Sequence, residues 1–173
     1  MPLSILRLGH RVFRDQRLTT HVFLTTRALG AEKGFYTGQK DSNLEKSLSQ
    51  TTKNWGGPFE IKYLENYKKL LKSHKGTVAH LTAYGIPFQK KLKEIKTKNL
   101  LVIVGGSKVP FEIFEQADWN LSVSNQPISE VSAIGIFLYE LKGRKFRSFK
   151  NPILKIIPKE RGKSVKKIKI PKK

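Results

Sequence analysis

The sequence contains no cysteine, so disulfide bonds and metal sites with thiolate ligands are excluded. This absence fits a reducing compartment. The chain also lacks an apolar run long enough to cross a bilayer as a helix. Its first apolar segment, residues 3–8, is interrupted by Arg7 and is too short for a signal peptide. We therefore expect a soluble, cytoplasmic protein that is not embedded in a membrane.

Acidic residues are scarce: 13 Asp and Glu stand against 34 Lys and Arg, which gives a formal net charge of +21. Such an excess favours a polyanionic partner, because neutralised phosphates release their counterions. Nucleic acid is the first expected partner, and an anionic membrane surface is a weaker second. Residues 142–173 hold 14 of the basic residues and one acid, Glu160. We therefore expect a domain at residues 1–143 and a basic C-terminal extension at residues 144–173.

The common catalytic motifs are missing as well. The four histidines are not spaced as metal ligands, and no GxSxG, GxGxxG or P-loop pattern occurs. Gly105-Gly106-Ser107-Lys108 has a lysine but lacks the loop length of a P-loop. We therefore expect no metal site.

Strand patterns and helix patterns alternate along the chain. The predicted strands are residues 3–8, 33–36, 59–64, 76–82, 100–104 and 120–124. The predicted helices are residues 21–29, 41–55, 66–74, 87–96 and 129–141. This alternation predicts an α/β fold with a parallel sheet and helices on both faces. The prolines of the tail leave open short strands or an extended arm, with disorder as the competing interpretation for about the last ten residues.

Two predicted strands end in polar loops between residues 99 and 140. The run 100–104 stops at Gly105-Gly106, and the run 120–124 leads into Asn125-Gln126-Pro127. In open α/β sheets, ligands bind outside the carboxyl ends of the strands, so a small-molecule site is expected here. Taken alone, Gly105-Gly106 is more typical of a simple turn that ends a strand.

Arginines are concentrated after the first strand. Arg7, Arg11, Arg14 and Arg17 recur at steps of three or four residues. A charge run of this kind is commonly a solvated face of a helix or loop. It also suits an edge that faces phosphates, because guanidinium groups bind phosphate through two hydrogen bonds. The residues alone leave both interpretations open.

Several segments carry a resemblance to a known family: LRLGHRVFRDQRLTTHV, WGGPF, HLTAYG, VGGSKVP and NQPISEVSAIGIFL. Together they resemble the archaeal tRNA cytidine-56 2′-O-methyltransferase family, which belongs to the SPOUT superfamily of S-adenosylmethionine-dependent methyltransferases. The resemblance covers most of residues 3–141. It implies 2′-O-methylation of the T-loop cytidine at the tRNA elbow. It also implies a C-terminal trefoil knot and a homodimer in which each active site is completed at the subunit interface.

The resemblance further implies that S-adenosylmethionine lies among three loops, at residues 80–82, 105–109 and 123–130. Glycines there let the backbone approach a ligand closely. The implied cofactor-binding residues are Leu81, Gly105, Gly106, Ser107, Lys108, Val109, Val123, Ser124, Asn125, Gln126, Pro127, Ile128, Ser129 and Glu130.

For the proton of the 2′-hydroxyl, the resemblance implies an arginine that lies beside a phosphate. Arg7 and Arg27 are candidates, but we favour a loop at residues 9–17. The catalytic residues we predict are therefore Arg11, Arg14 and Arg17, with Asn125 orienting the substrate or cofactor.

Two positions depart from the family pattern. Ser107 stands where the family usually has glutamate, and Ile128 stands where it has histidine. We interpret both as drift within loops that otherwise agree. The competing hypothesis is a non-catalytic RNA-binding protein with the same fold, and cofactor binding would distinguish the two.

Overall fold

The computed structural model describes residues 3–106, 108–146 and 148–168. The strands are β1 (Ser4–His10), β2 (Lys33–Gly38), β3 (Glu60–Tyr63), β4 (Thr77–Pro87), β5 (Leu100–Gly105), β6 (Trp119–Ser122), β7 (Leu154–Ile156) and β8 (Val165–Lys167). The helices are α1 (Val12–Ala28), α2 (Ser42–Trp55), α3 (Tyr67–Ser73), α4 (Phe111–Gln116) and α5 (Glu130–Leu141).

The first six strands form one sheet in the order β3-β2-β1-β5-β4-β6. Every neighbouring pair in it is parallel. The central strands β1 and β5 are buried along most of their length. Strands that are covered on both faces have continuous apolar sequences, which explains why residues 100–104 could be predicted as a strand. The predicted α/β fold with a parallel sheet is confirmed.

Helices cover both faces of this sheet. On one face α1, α2 and α5 pack against it through an apolar cluster that includes Phe23, Leu48 and Phe137. On the other face α3 and α4 pack on a smaller cluster that includes Leu101 and Ile113. Among the described residues, no helix is both long enough and apolar enough to cross a membrane.

The arginine-rich segment at residues 9–17 differs from the predicted loop. Helix α1 begins at Val12, so most of this segment forms its first half, and the predicted helix at 21–29 is its second half. No proline or glycine interrupts the chain between Arg11 and Ala28. Asp15 lies in the first turn, where it complements the helix dipole, and pairs with Arg11 at i,i+4.

Residues 87–96 also differ from the prediction of a helix. Strand β4 continues to Pro87, and only a 3₁₀ turn at Phe88–Lys90 follows. Phe88 is buried and packs edge-on against Phe137 of α5. This segment is therefore held to the core by a single aromatic ring and not by the apolar face of a helix. Helix α4 was not predicted, because six residues are too few to show a helical period.

The C-terminal extension forms a small antiparallel hairpin of β7 and β8. Backbone hydrogen bonds from Ile153 to Asn54 and from Gly57 to Lys150 join the segment before it to the end of α2. The Arg27 guanidinium donates to the Gly56 carbonyl and lies 4.8 Å from the centre of the Phe149 ring. The extension is thus attached at the amino edge of the sheet. Residues 169–173, which belong to the stretch where disorder is the competing interpretation, lie outside the described part.

Replacing Phe137 tests the packing of α5. Phe137→Ala should lower the free energy of unfolding by about 3–5 kcal/mol, because it leaves a cavity beside Phe88 in the larger core. Urea denaturation followed by circular dichroism would measure this change. Ser132→Ala on the exposed side of the same helix is the matched control. Equal stability of both variants would contradict the role of this face.

Candidate active site

A cavity of about 730 Å³ opens beside the carboxyl ends of β4, β5 and β6. Its walls come from the middle of β4, from the end of β5 and the loop after it, from the loop after β6 and from the start of α5, with one residue each from α1 and α4. A volume of this size accommodates a small molecule or cofactor. The lining residues are Leu18, His80, Leu81, Thr82, Ala83, Tyr84, Val104, Gly105, Gly106, Val109, Phe114, Val123, Ser124, Pro127, Ile128, Ser129, Glu130 and Ala133.

The structure brings most of the expected cofactor-binding residues together around this cavity. These are Leu81, Gly105, Gly106, Val109, Val123, Ser124, Pro127, Ile128, Ser129 and Glu130. Lys108, Asn125 and Gln126 belong to the same loops but do not line the cavity. Ser107 lies outside the described residues. Leu18 and Phe114 were not predicted, because only tertiary packing brings them here.

The two glycines at the end of β5, Gly105 and Gly106, have different surroundings. A Cβ added to Gly105 would lie 2.8 Å from Val109 Cγ2, so any other residue here would force the Val109 side chain and its loop to move. Among the described residues, a Cβ on Gly106 would have only a Glu130 carboxylate oxygen within 4 Å, at 3.8 Å. Gly106 therefore lies next to a carboxylate.

Glu130, the first residue of α5, is partly buried and forms an ion pair with the buried Arg7 in β1. Arg7 Nε donates to Glu130 Oε2 at 3.1 Å, and Arg7 is only 2% exposed. Arg7 Nη2 lies 3.9 Å from Asp15 in α1. Burial raises the pKa of Glu130, and the Arg7 charge opposes that rise. Within the described part of the chain, Arg7 Nη1 has no hydrogen-bond partner.

His80 adds a neutral imidazole to the cavity wall. Its Nδ1 lies 2.9 Å from Asn120 Oδ1. The Phe114 ring packs edge-on against the imidazole, with 4.7 Å between the two ring centres. Burial lowers the pKa of His80. No cluster of three or more potential metal ligands occurs in the part of the chain that the structure describes.

The arginines predicted to be catalytic lie at the N-cap of α1 (Arg11) and on its outer face (Arg14 and Arg17). Arg11, Arg14 and Arg17 are exposed, and none of the three lines the cavity. A hydrogen bond from Arg11 holds the pKa of Asp15 below its ordinary value. Arg17 borders a shallow depression between α1 and α2. Of the other candidates, Arg27 lies at the opposite edge of the sheet.

Asn125 holds two segments of the site together. Its side-chain amide donates to the carbonyl oxygens of Ala83, at 2.7 Å, and Gly85, at 3.0 Å. The loop after β6 is thereby connected to the distal part of β4. Its predicted role toward substrate or cofactor stays a prediction.

A family model described as tRNA ribose 2′-O-methyltransferase, aTrm56, matches residues 55–166. The chain is 46% identical to a tRNA (cytidine(56)-2′-O)-methyltransferase of Thermococcus kodakarensis, over 94% of this chain and 96% of the relative. It is 47% identical to the enzyme of that name from Archaeoglobus fulgidus, over 95% and 98% of the two chains. The chain belongs to the aTrm56 family. The family predicted from the sequence is thus confirmed.

Solved structures show that the aTrm56 chain shares its fold with SpoU-type proteins. The A. aeolicus TrmH/SpoU tRNA modifying enzyme superposes with a TM-score of 0.63 at 19% identity, over 83% of this chain and 75% of that one. The SpoU methyltransferase AviRb of Streptomyces viridochromogenes, in complex with AdoMet, gives a TM-score of 0.60 at 12% identity, over 82% and 57%. At these identities the likeness concerns the fold alone.

Replacing Arg7 tests the ion pair. Arg7→Met should cost up to about 3 kcal/mol of stability near pH 7.5, the low end of the range for buried pairs, because it leaves the partly buried Glu130 carboxylate without its cation. The raised pKa means that folded Glu130 keeps its proton to higher pH than the unfolded chain does. The cost should therefore shrink near pH 4, where Glu130 is largely protonated.

Urea titrations at the two pH values would measure this difference. Arg7→Met/Glu130→Gln is the matched control, and it should be more stable than Arg7→Met near pH 7.5 because no unpaired carboxylate remains. A loss of the same size for Arg7→Met at both pH values would rule out the electrostatic explanation.

Proposed function

We propose that this chain transfers the methyl group of S-adenosylmethionine to the ribose 2′-hydroxyl of cytidine-56 in the T-loop of tRNA. The observation that carries this proposal is the 42–47% identity, over nearly the whole chain, to archaeal relatives named for that reaction. The net charge of +21 suits a tRNA substrate, because phosphate contacts dominate RNA affinity.

The cavity beside β4, β5 and β6 is the proposed site of S-adenosylmethionine. Leu81, Val109 and Ile128 give it apolar walls, and Gly105 allows the close turn of its loop. The Glu130 carboxylate near Gly106 offers an acceptor to hydroxyl or ammonium groups. S-adenosylmethionine would supply an electrophilic methyl group, so the chain has to align the hydroxyl and help remove its proton.

We assign the removal of the 2′-hydroxyl proton to one of the arginines at the start and on the outer face of α1. Arg11, Arg14 and Arg17 do not reach the cavity of their own chain. We therefore assign them to the cavity of a second copy in a homodimer, where one would lie beside the phosphate of the target nucleotide. The fully exposed ring of Phe13 and the half-exposed Ile136 of the neighbouring helix α5 supply apolar surface for such an interface.

Three further features belong to the proposal. Residues 1–143 are assigned to the methyltransferase domain and residues 144–173 to a basic extension. The C-terminal part of the domain is assigned a trefoil knot, which the family resemblance implies and the SpoU-type fold supports. The proposed compartment is the cytoplasm, where tRNA is available.

Methyl transfer to a defined tRNA tests the function. We expect saturable binding of S-adenosylmethionine in calorimetry and incorporation of one methyl group into unmodified tRNA transcript. A transcript with 2′-deoxycytidine at position 56 is the matched control, and it should accept none because the attacking hydroxyl is missing. Binding of tRNA without binding of S-adenosylmethionine would instead favour a non-catalytic RNA-binding protein.

Neutralising the hairpin tests the role of the basic extension. Lys155→Gln/Lys166→Gln/Lys167→Gln should weaken tRNA binding. It should also reduce the slope of log K against log salt by about 0.7–0.9 for each phosphate that the variant no longer neutralises. Filter binding at several salt concentrations would measure the slope. Lys62→Gln/Lys69→Gln/Lys72→Gln removes the same charge from exposed positions on β3 and α3 and is the control. Equal slopes for the two triple variants would contradict binding of RNA by the hairpin.

A further inference from the structure

We propose that Tyr84 is a base-stacking contact for the RNA substrate at the mouth of the cavity, and that Asn125 is the residue that positions it. This inference rests on the proposed methyl transfer to tRNA and names a substrate contact of the same site. It follows from a local irregularity of β4, from the contacts that fix this irregularity and from the exposure of the ring.

Strand β4 bulges beside the cavity. Leu81 and Ile86 both pair with Leu121 of β6, so the residues between them leave the regular ladder. Bulges redirect side chains and are frequent next to active sites. Here the extruded residues are Thr82, Ala83, Tyr84 and Gly85, and the first three of them line the cavity.

The bulge is fixed on both sides of Tyr84. The Asn125 amide donates to the carbonyl of Ala83 before it and to that of Gly85 after it. Gly85 lies against β6 so closely that a Cβ there would approach the Leu121 backbone to 2.5 Å. The backbone that carries Tyr84 is therefore held at its two flanking residues, while its side chain extends outward.

The Tyr84 ring points largely into solvent. It is 89% exposed although it belongs to the cavity lining, and its phenol makes no hydrogen bond to the described residues. A single exposed tyrosine is ordinary on a protein surface. What distinguishes this one is a rigid support that presents the ring at the mouth of the cavity.

RNA is the partner that fits such a ring best. Proteins recognise bases in RNA loops by stacking them on aromatic side chains, and each stack contributes measurably to affinity. A wall for S-adenosylmethionine would be expected to pack against other parts of the cavity, whereas the Tyr84 ring is 89% exposed and leaves its faces free for a base. The strong positive charge of the chain adds long-range attraction for the same partner.

The test compares Tyr84→Leu with Tyr84→Phe in the full chain. Tyr84→Leu should weaken tRNA binding by roughly 5- to 150-fold, the range for loss of one base–aromatic stack, whereas Tyr84→Phe should keep most of the affinity. Because Tyr84 also lines the cavity, affinity for S-adenosylmethionine is measured in parallel, and Tyr84→Leu should reduce it much less than it reduces affinity for tRNA. Asn125→Ala should lower tRNA affinity in the same direction, because it frees the bulge.

A tRNA that carries 2-aminopurine in the T-loop provides a readout that loss of folding would not imitate. Wild type and Tyr84→Phe should quench its fluorescence through stacking, and Tyr84→Leu should not. Wild-type tRNA affinity in Tyr84→Leu would overturn the inference. A selective loss of S-adenosylmethionine binding, or of dimer mass in light scattering, would assign the ring to the cofactor or to a second copy and would overturn it too.

These outcomes are distinct from failure of the proposed function. If the wild-type protein binds tRNA but transfers no methyl group, the proposed reaction is refuted, and the comparison of tRNA affinities still tests base stacking by Tyr84. If the wild-type protein is active and Tyr84→Leu binds tRNA with the same affinity, only the proposed stacking contact is refuted.

Discussion

The ion pair between Arg7 and Glu130 is the contact on which the candidate site depends. It connects the middle of the sheet to the first residue of α5, and through Asp15 it reaches the first turn of α1. Arg7 is buried and Glu130 is partly buried, so separating the two would leave the Arg7 charge without its nearest counter-charge in a poorly hydrated position. The start of α5, and with it one wall of the cavity, is therefore fixed relative to β1.

The carboxyl and amino ends of the strands carry different features of this chain. The carboxyl edge carries the cavity, its glycine turn and its carboxylate, whereas the amino edge carries the attachment of the basic hairpin through Arg27, Asn54 and Gly57. Helices α1 and α5 run between these edges. Within one chain, the most basic segment is thus attached across the sheet from the place where a small molecule fits.

Features that depend on local sequence could be predicted, and features that depend on tertiary contact could not. The run at 100–104 is apolar throughout, so β5 was evident. The bulge in β4 was not evident, because the need for Gly85 arises from the backbone of Leu121, which the chain reaches only after folding. The arginines near residue 11 resemble Arg7 in type. Only the apolar neighbours of Arg7 in its strand distinguish it as buried, and its partner Glu130 lies far away along the chain.

The two hydrogen bonds of Asn125 have a consequence for cooperativity. They connect the loop that borders the cavity to the bulge that borders the solvent. A displacement of one segment is therefore passed to the other through this side chain. For any two ligands that bind at these places, thermodynamic reciprocity requires that each changes the affinity of the other by the same factor.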